Sequence, residues 1–234
     1  MSKILDQLSE MRRQHGTAAA LQWLAARSLE KTLQLEVCEL SWLDKNRQSS
    51  SVANDRRLKS GFAGRFLTSF EIASFAIDPA NDLSVDFASR PTAGLDYCFG
   101  IVDRERLASY SWYAVRSIEG EHHVGVPMSF PANMAYMYKA FTHPDYRGKA
   151  LYGIGVTKAL EGLASRGVTR LVTSVNRVNF ASRAGCHKIG FQSLGNLWTL
   201  GTAARRIAWV PHAARQLGIQ FGSRATVADR SSVR

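Results

Sequence analysis

Cysteine is scarce in this sequence, long apolar runs are missing, and acidic residues all but vanish from its last part. The three cysteines among 234 residues, Cys38, Cys98 and Cys186, are odd in number and widely separated. No C-x-x-C pair occurs, so neither a disulfide framework nor a metal site is expected, and a reduced, cytoplasmic setting is the simplest expectation. No stretch approaches the roughly 18 apolar residues of a membrane span. Residues Met1 to Glu10 carry charge and lack a continuous apolar core, which argues against a secretory signal. No internal repeat is visible. Up to residue 143 the chain has 16 basic and 16 acidic residues, whereas from 144 onward it has 14 basic and three acidic ones. The whole formal excess of +11 therefore sits in the last part, where it would steer an anionic ligand with a pull that weakens as salt rises. With 45% hydrophobic residues, the chain can bury one good core plus appendages, and two full domains are not expected.

What is present is a strand, a basic turn and a helix in close succession: Ala135-Tyr-Met-Tyr-Lys-Ala-Phe-Thr-His-Pro-Asp-Tyr-Arg-Gly-Lys149. The aromatic stretch Tyr136 to Phe141 predicts a strand that stops near His143, because Pro144 cannot continue a ladder. From Leu151, the spacing of Leu151, Ile154, Leu160 and Leu163 predicts a helix that ends at Arg166-Gly167. Unpaired N–H groups at that helix start, with Arg147 and Lys149 beside them and Gly148 allowing close approach, suit a phosphate. Arg170 to Val175 predicts a buried strand. Asn179 then opens a second helix, with Ser182 three residues on, and Gly190-Phe191 turns the chain into another strand.

On these residues, 95 to 199 resemble the GCN5-related N-acetyltransferase (GNAT) superfamily, whose pyrophosphate loop usually reads valine-x-proline, a gap, then Arg/Gln-x-x-Gly-x-Gly/Ala. The matching residues are Thr142-His-Pro144 and Arg147-Gly-Lys-Ala150-Leu-Tyr152, after a hairpin from Asp96 to Val115 and before Asn179 to Phe191. Ala150 and Tyr152 stand where the family has glycine and glycine or alanine. A register through Gly153-Ile-Gly155 would lengthen the loop by three residues. The ungapped register is preferred because alanine is a good helix former that needs no positive φ. Cys186 stands where many members carry the tyrosine that protonates the departing thiolate.

The resemblance implies an α/β (α+β) fold with a mixed, mostly antiparallel central sheet flanked by helices, and acetyl-CoA (coenzyme A) as the cofactor. It places Phe141 and Thr142 against the pantetheine arm, with one of their amides facing the thioester oxygen. Arg147, Gly148, Lys149, Ala150, Tyr152 and Gly153 fall at the diphosphate, and Asn179 and Ser182 at the pantetheine. Each has a plainer reading. Arg147 and Lys149 can be a solvated pair, Tyr152 can point away from the diphosphate, Asn179 can simply cap its helix, and Ser182 can pack. For the acid, Cys186 is one candidate and Tyr152 another, although a small buried thiol is the plainer account of Cys186. For the base, His122 and His123 are candidates because imidazole titrates near neutrality. His143, inside the turn, is expected to satisfy turn backbone groups.

Outside the motif, residues 3 to 33 are expected to be helical with a break at His15-Gly16, and Leu35 to Trp42 to be a strand. Arg47 to Gly61 is expected as a mobile loop, Phe62 to Phe75 as a helix, and Asp78 to Gly94 as a loop. Residues 116 to 134 form a long connection that could cover an acceptor pocket. The expected organisation is an N-terminal helical extension (1–34) packed on an acyltransferase domain (35–200), then a basic tail (201–234), partly disordered. The expected activity is N-acetyl transfer to a small-molecule amine, with a homodimer possible, and with no membrane partner and no metal. Pro211 breaks the arginine-rich tail, so nucleic acid is not the expected partner. The alternatives are a silent acyl-coenzyme A-binding module and a donor carried on a carrier protein or aminoacyl-tRNA.

Overall fold

The computed structural model describes residues 2–48, 61–94, 96–120, 122, 124–202 and 205–222. His123, most of the loop expected from Arg47 to Gly61, and the last part of the tail lie outside the described residues.

The first helix, α1 (Ser2–Leu33), breaks at Gly16, whose φ of 87° and ψ of 172° are not helical. Ala19, Ala20 and Trp23 beyond the break are buried. Strand β1 (Leu35–Asp44) follows. Phe62 to Phe75, expected as one helix, is instead strand β2 (Phe62–Phe66) and helix α2 (Ser69–Ala76). Phe62 and Phe66 sit at even spacing and pack on the core, while Thr68 and Glu71 form a capping box that fixes where α2 can begin. The loop expected at Asp78 to Gly94 contains two 3-10 segments, Pro79–Asn81 and Val85–Ala93.

Strands β3 (Asp96–Asp103) and β4 (Arg106–Val115) form the expected hairpin, and β5 (Ser117–Ile118) and β6 (Met128–Ser129) pair within the long connection. Strand β7 (Met134–Thr142) runs into a 3-10 turn at Pro144–Tyr146 and then helix α3 (Leu151–Ala164). Next come β8 (Arg170–Asn176), α4 (Phe180–Ile189) and β9 (Gln192–Thr202).

The segment expected as a tail is structured to Phe221: β10 (Arg205–Trp209), α5 (His212–Gln216) and β11 (Gln220–Phe221). Strand β10 pairs with β9 at the sheet edge, and β11 pairs with β6. Ala214 and Ile219 are buried against Leu40, Tyr136 and Val172. The apolar residues responsible, Ala214, Leu217 and Ile219, are spread among arginines, which hid them from a composition argument.

The main sheet has the order β10-β9-β1-β8-β7-β4-β3-β2, with one parallel pair, β7 and β8. It is therefore the mixed, mostly antiparallel sheet expected. On one face, Leu43, Ile101, Met137 and Leu171 pack against α3 and α4. On the other, Leu40, Ala114, Tyr136 and Val172 pack against residues of β6 and α5. No described helix is long and apolar enough to cross a membrane.

Candidate active site

Two irregularities meet in the middle of the sheet. Strand β7 pairs with β8 only from Met134 to Met137, opposite Arg170 to Thr173, and beyond Met137 the two strands part. On the other side of β7, Tyr113 pairs with Met137 and Trp112 with Lys139, which leaves Tyr138 as a bulge residue without a partner in register. A bulge adds one residue to one strand and re-aims the groups next to it. A parallel pair that separates midway leaves part of each strand without its neighbour. At Tyr138 both occur together, and the gap opens as a cleft of about 420 Å³.

The cleft is lined by Met137 to Thr142, by Thr173 to Asn176, and by Tyr152, Asn179, Ala181 and Ser182. Met137 belongs to the face that carries α3 and α4, while Tyr138 also packs in the core of the opposite face. The cleft therefore opens between the two layers of the molecule. A second cleft, of about 550 Å³, lies at the start of α3. Its lining includes Arg147, Gly148, Ala150, Gly153 and Lys188. Thr142 and Tyr152 line both clefts, so the two meet at those residues.

The turn that feeds α3 is built by local bonds. His143 Nδ1 accepts from the Asp145 amide at 3.3 Å, the structural part expected of it. Gly148 has φ 78° and Ala150 φ 60°. The second value corrects the expectation that alanine here needs no positive φ: Ala150 is left-handed, a conformation that costs a non-glycine residue about 1 kcal/mol or more. It sits at the cap position and supplies no side-chain cap. The first intrahelical bond runs from the Ile154 amide to the Ala150 carbonyl, 3.2 Å, so the amides of Leu151, Tyr152 and Gly153 precede the ladder.

Of the residues expected to hold a cofactor, Phe141, Thr142, Tyr152, Asn179 and Ser182 line the first cleft, and Thr142, Arg147, Gly148, Ala150, Tyr152 and Gly153 the second. Lys149 lines neither; its Nζ lies 4.6 Å from the centre of the Tyr146 ring. The Thr142 carbonyl accepts from Arg147 Nε at 3.4 Å, and the Phe141 carbonyl accepts from the Ser109 hydroxyl at 2.9 Å. Asn179 caps α4, its Oδ1 accepting from the Ser182 amide at 3.1 Å. Glu39 on β1 anchors α4 through Arg183 and, at 3.4 Å, His187. Although burial opposes it, Arg183 holds the Glu39 carboxyl below its usual range.

Cys186, expected as an acid, does not reach either cleft. It is buried, and burial pushes its thiol up. Above it lies Tyr152, whose ring packs on Gly185 and whose Oη is 3.2 Å from Cys186 Sγ. The phenol is also pushed well up, by burial and then by the neighbouring Cys186. A hydroxyl from α3 thus stands beside the α4 position where the resemblance puts a tyrosine.

His122, expected as a base, is buried under the sheet. Nε2 lies 2.9 Å from the Val126 carbonyl, and Nδ1 lies 3.4 Å from Tyr136 Oη, which also bonds Ser174 Oγ. Burial lowers its imidazole to about 4, against the pull of the Val126 bond. Sequence reasoning missed Tyr138, Lys188, Tyr136 and Ser174. Lys188 had a signal, two residues before the Gly190 exit of α4. The bulge and the hydroxyl pair had none, since both depend on register between strands. Among the described residues, no group of three His, Cys, Asp or Glu side chains could hold a metal ion.

No family model matches the sequence, and no curated protein does. Among solved structures, the chain is similar to a tandem GNAT protein from the clavulanic acid biosynthesis pathway, with TM-score 0.49 and 15% identity over 68% of this chain and 51% of that one. It is similar to a GCN5-related N-acetyltransferase-like protein from Streptococcus suis, with TM-score 0.49 and 11% identity over 79% and 67%. It is also similar to a GNAT-family acetyltransferase from Colwellia psychrerythraea, with TM-score 0.48 and 14% identity over 76% and 61%. The chain spans about half the length of the first of these, and the likeness is one of fold.

Proposed function

We propose that this chain is an acyl-coenzyme A-dependent N-acyltransferase that moves an acyl group, acetyl in the simplest case, from the thioester to a small-molecule amine. One observation carries the reading: the uncapped start of α3 and the gap between β7 and β8 form clefts that meet at Thr142 and Tyr152.

The residues fit the cofactor. The amides of Leu151 to Gly153, the positive end of the α3 dipole, Arg147 and Lys188 suit a diphosphate. The part of β7 beyond Met137 suits an extended amide-bearing arm, which would lie where β8 has left it. Bound coenzyme A would supply a thioester, a carbonyl carbon open to attack with a thiolate as leaving group.

The chain's part is orientation and proton handling. The bulge at Tyr138 re-aims backbone groups beside the gap and is the candidate source of a donor to the carbonyl oxygen as charge develops there. With such a thioester bound, an entering amine would form the C–N bond as the C–S bond broke, and its nitrogen would give its proton to water. Tyr152, protonated at rest, would give its Oη hydrogen to the departing sulfur and take a proton back from water. His122, with its imidazole near 4, is too weak a base to take a proton from an ammonium group.

The test is titration calorimetry with coenzyme A, then incubation with acetyl-coenzyme A and an amine panel, read as released thiol. Binding and turnover are expected. Binding with no turnover would favour a silent module. Absence of binding would overturn the reading or redirect it to a carrier-protein or aminoacyl-tRNA donor, which the same assay with those donors separates.

A further inference from the structure

We infer that two copies of this chain meet through a surface formed by one face of β9 and β10 and by the C-terminal half of α1. None of its residues lines either cleft, and the inference does not rest on the acyltransferase reading.

Register arranges the sheet part in two rows. Leu35 of β1 pairs with Leu200 of β9, and Leu200 with Ile207 of β10; Val37, Trp198 and Trp209 make the next row. Residues paired across neighbouring strands project to one face of a sheet. That face carries α4, because Glu39, two residues beyond Val37, holds Arg183 and His187. Neither row contains a charged residue. Yet Ile207 is 60%, Trp209 52% and Trp198 43% exposed, and β10 is the last strand at its end of the sheet.

Helix α1 has the same excess. After Trp23, every residue to Leu33 is exposed except the half-buried Ala26, and Leu24, Leu29 and Leu33 are among them. Three turns of helix with so little cover are marginal in water, since helices in proteins draw most of their stability from a packed face. The ring of His15, earlier in α1, lies 5.3 Å from that of Phe180 in α4, which brings α1 to the side of the sheet that holds the two rows.

The size of the surface selects its occupant. The exposed parts of Trp198, Trp209, Ile207, Leu24, Leu29 and Leu33 amount to roughly 350–500 Å² of apolar area, taking about 60–120 Å² for an aliphatic side chain and about 250 Å² for an indole. A stable dimer buries about 800 Å² per partner, of which roughly 450–500 Å² is apolar. Charge points the same way, because two chains that each carry +11 approach at least cost through uncharged rows. A two-fold pair covers the surface on both copies at once and leaves none over.

Light scattering over a dilution series should give twice 25.9 kDa at the concentrated end. There the amides of residues 24–33 and of β10 should exchange more slowly than in dilute solution, while those of β2, at the other end of the sheet, should not change. Trp209→Glu and Leu29→Glu, both at exposed positions, should each weaken self-association about 30-fold or more, the scale of a lost interface anchor. Phe70→Glu, at an exposed apolar position on α2, should leave it within about threefold. A wild-type chain that stays at 25.9 kDa, a dimer that survives both face variants, or one that Phe70→Glu also dissociates would each overturn the inference. So would a monomer that binds phosphatidylglycerol vesicles and loses them in Trp209→Glu, which would give the surface to lipid.

Discussion

Helices α3 and α4 both begin on the clefts, and they begin differently. At α4, Asn179 closes the first turn by accepting from the Ser182 amide. At α3, left-handed Ala150 supplies no side chain to the first turn. A capped helix has satisfied part of its donor set internally; an uncapped one leaves those donors for something else. The difference extends further along the helices. Tyr152, in the first turn of α3, reaches the junction of the clefts, whereas Cys186, late in α4, is sealed beneath it. One helix start satisfies its first turn from its own side chain; the other leaves its first amides to the cleft, where the proposed function puts a diphosphate.

Five substitutions test that contrast. Tyr152→Phe should lower kcat roughly 100-fold with little change in coenzyme A affinity, the scale of a lost proton donor. Cys186→Ala should leave kcat within about threefold, and equal losses from the two, measured by thiol release, would erase the distinction. Ala150→Asp, which brings a carboxylate to the open turn, should weaken coenzyme A binding about tenfold or more by calorimetry, because like charges near a surface repel by about 1–4 kcal/mol. Asn179→Ala should cost about 1 kcal/mol of stability, a fall in melting temperature of about 2–4 °C. Ala150→Gly should give the smallest effect, a gain within about 1 kcal/mol, since relief of the left-handed conformation is partly offset by glycine's freedom when unfolded.

The contrast also marks what could be read beforehand. The α3 turn was legible because Pro144, Gly148 and Gly167 fix local geometry within one stretch of sequence. Asn179 and Gly190 bounded α4 for the same reason. Phe62 to Phe66 was misread because its two phenylalanines suit either period, and only pairing with β3 settles the matter. Cys186 and Tyr152 are 34 positions apart, and neither residue alone reveals that the hydroxyl of one would stand over the sulfur of the other. His122 is polar in a loop-like segment, and its burial depends on Arg206 and on β11, far along the chain.

That last dependence has a temporal consequence. The connection carrying His122 is held by β11 against β6, by the Gly222 amide on the Pro127 carbonyl at 3.0 Å, and by Arg206 on Val124. During synthesis, the α3 turn can assemble once α4 and β9 have left the ribosome. The packing around His122 must wait for some twenty residues more, so a nascent chain would form the turn before α3 ahead of the wall on the opposite face of the sheet.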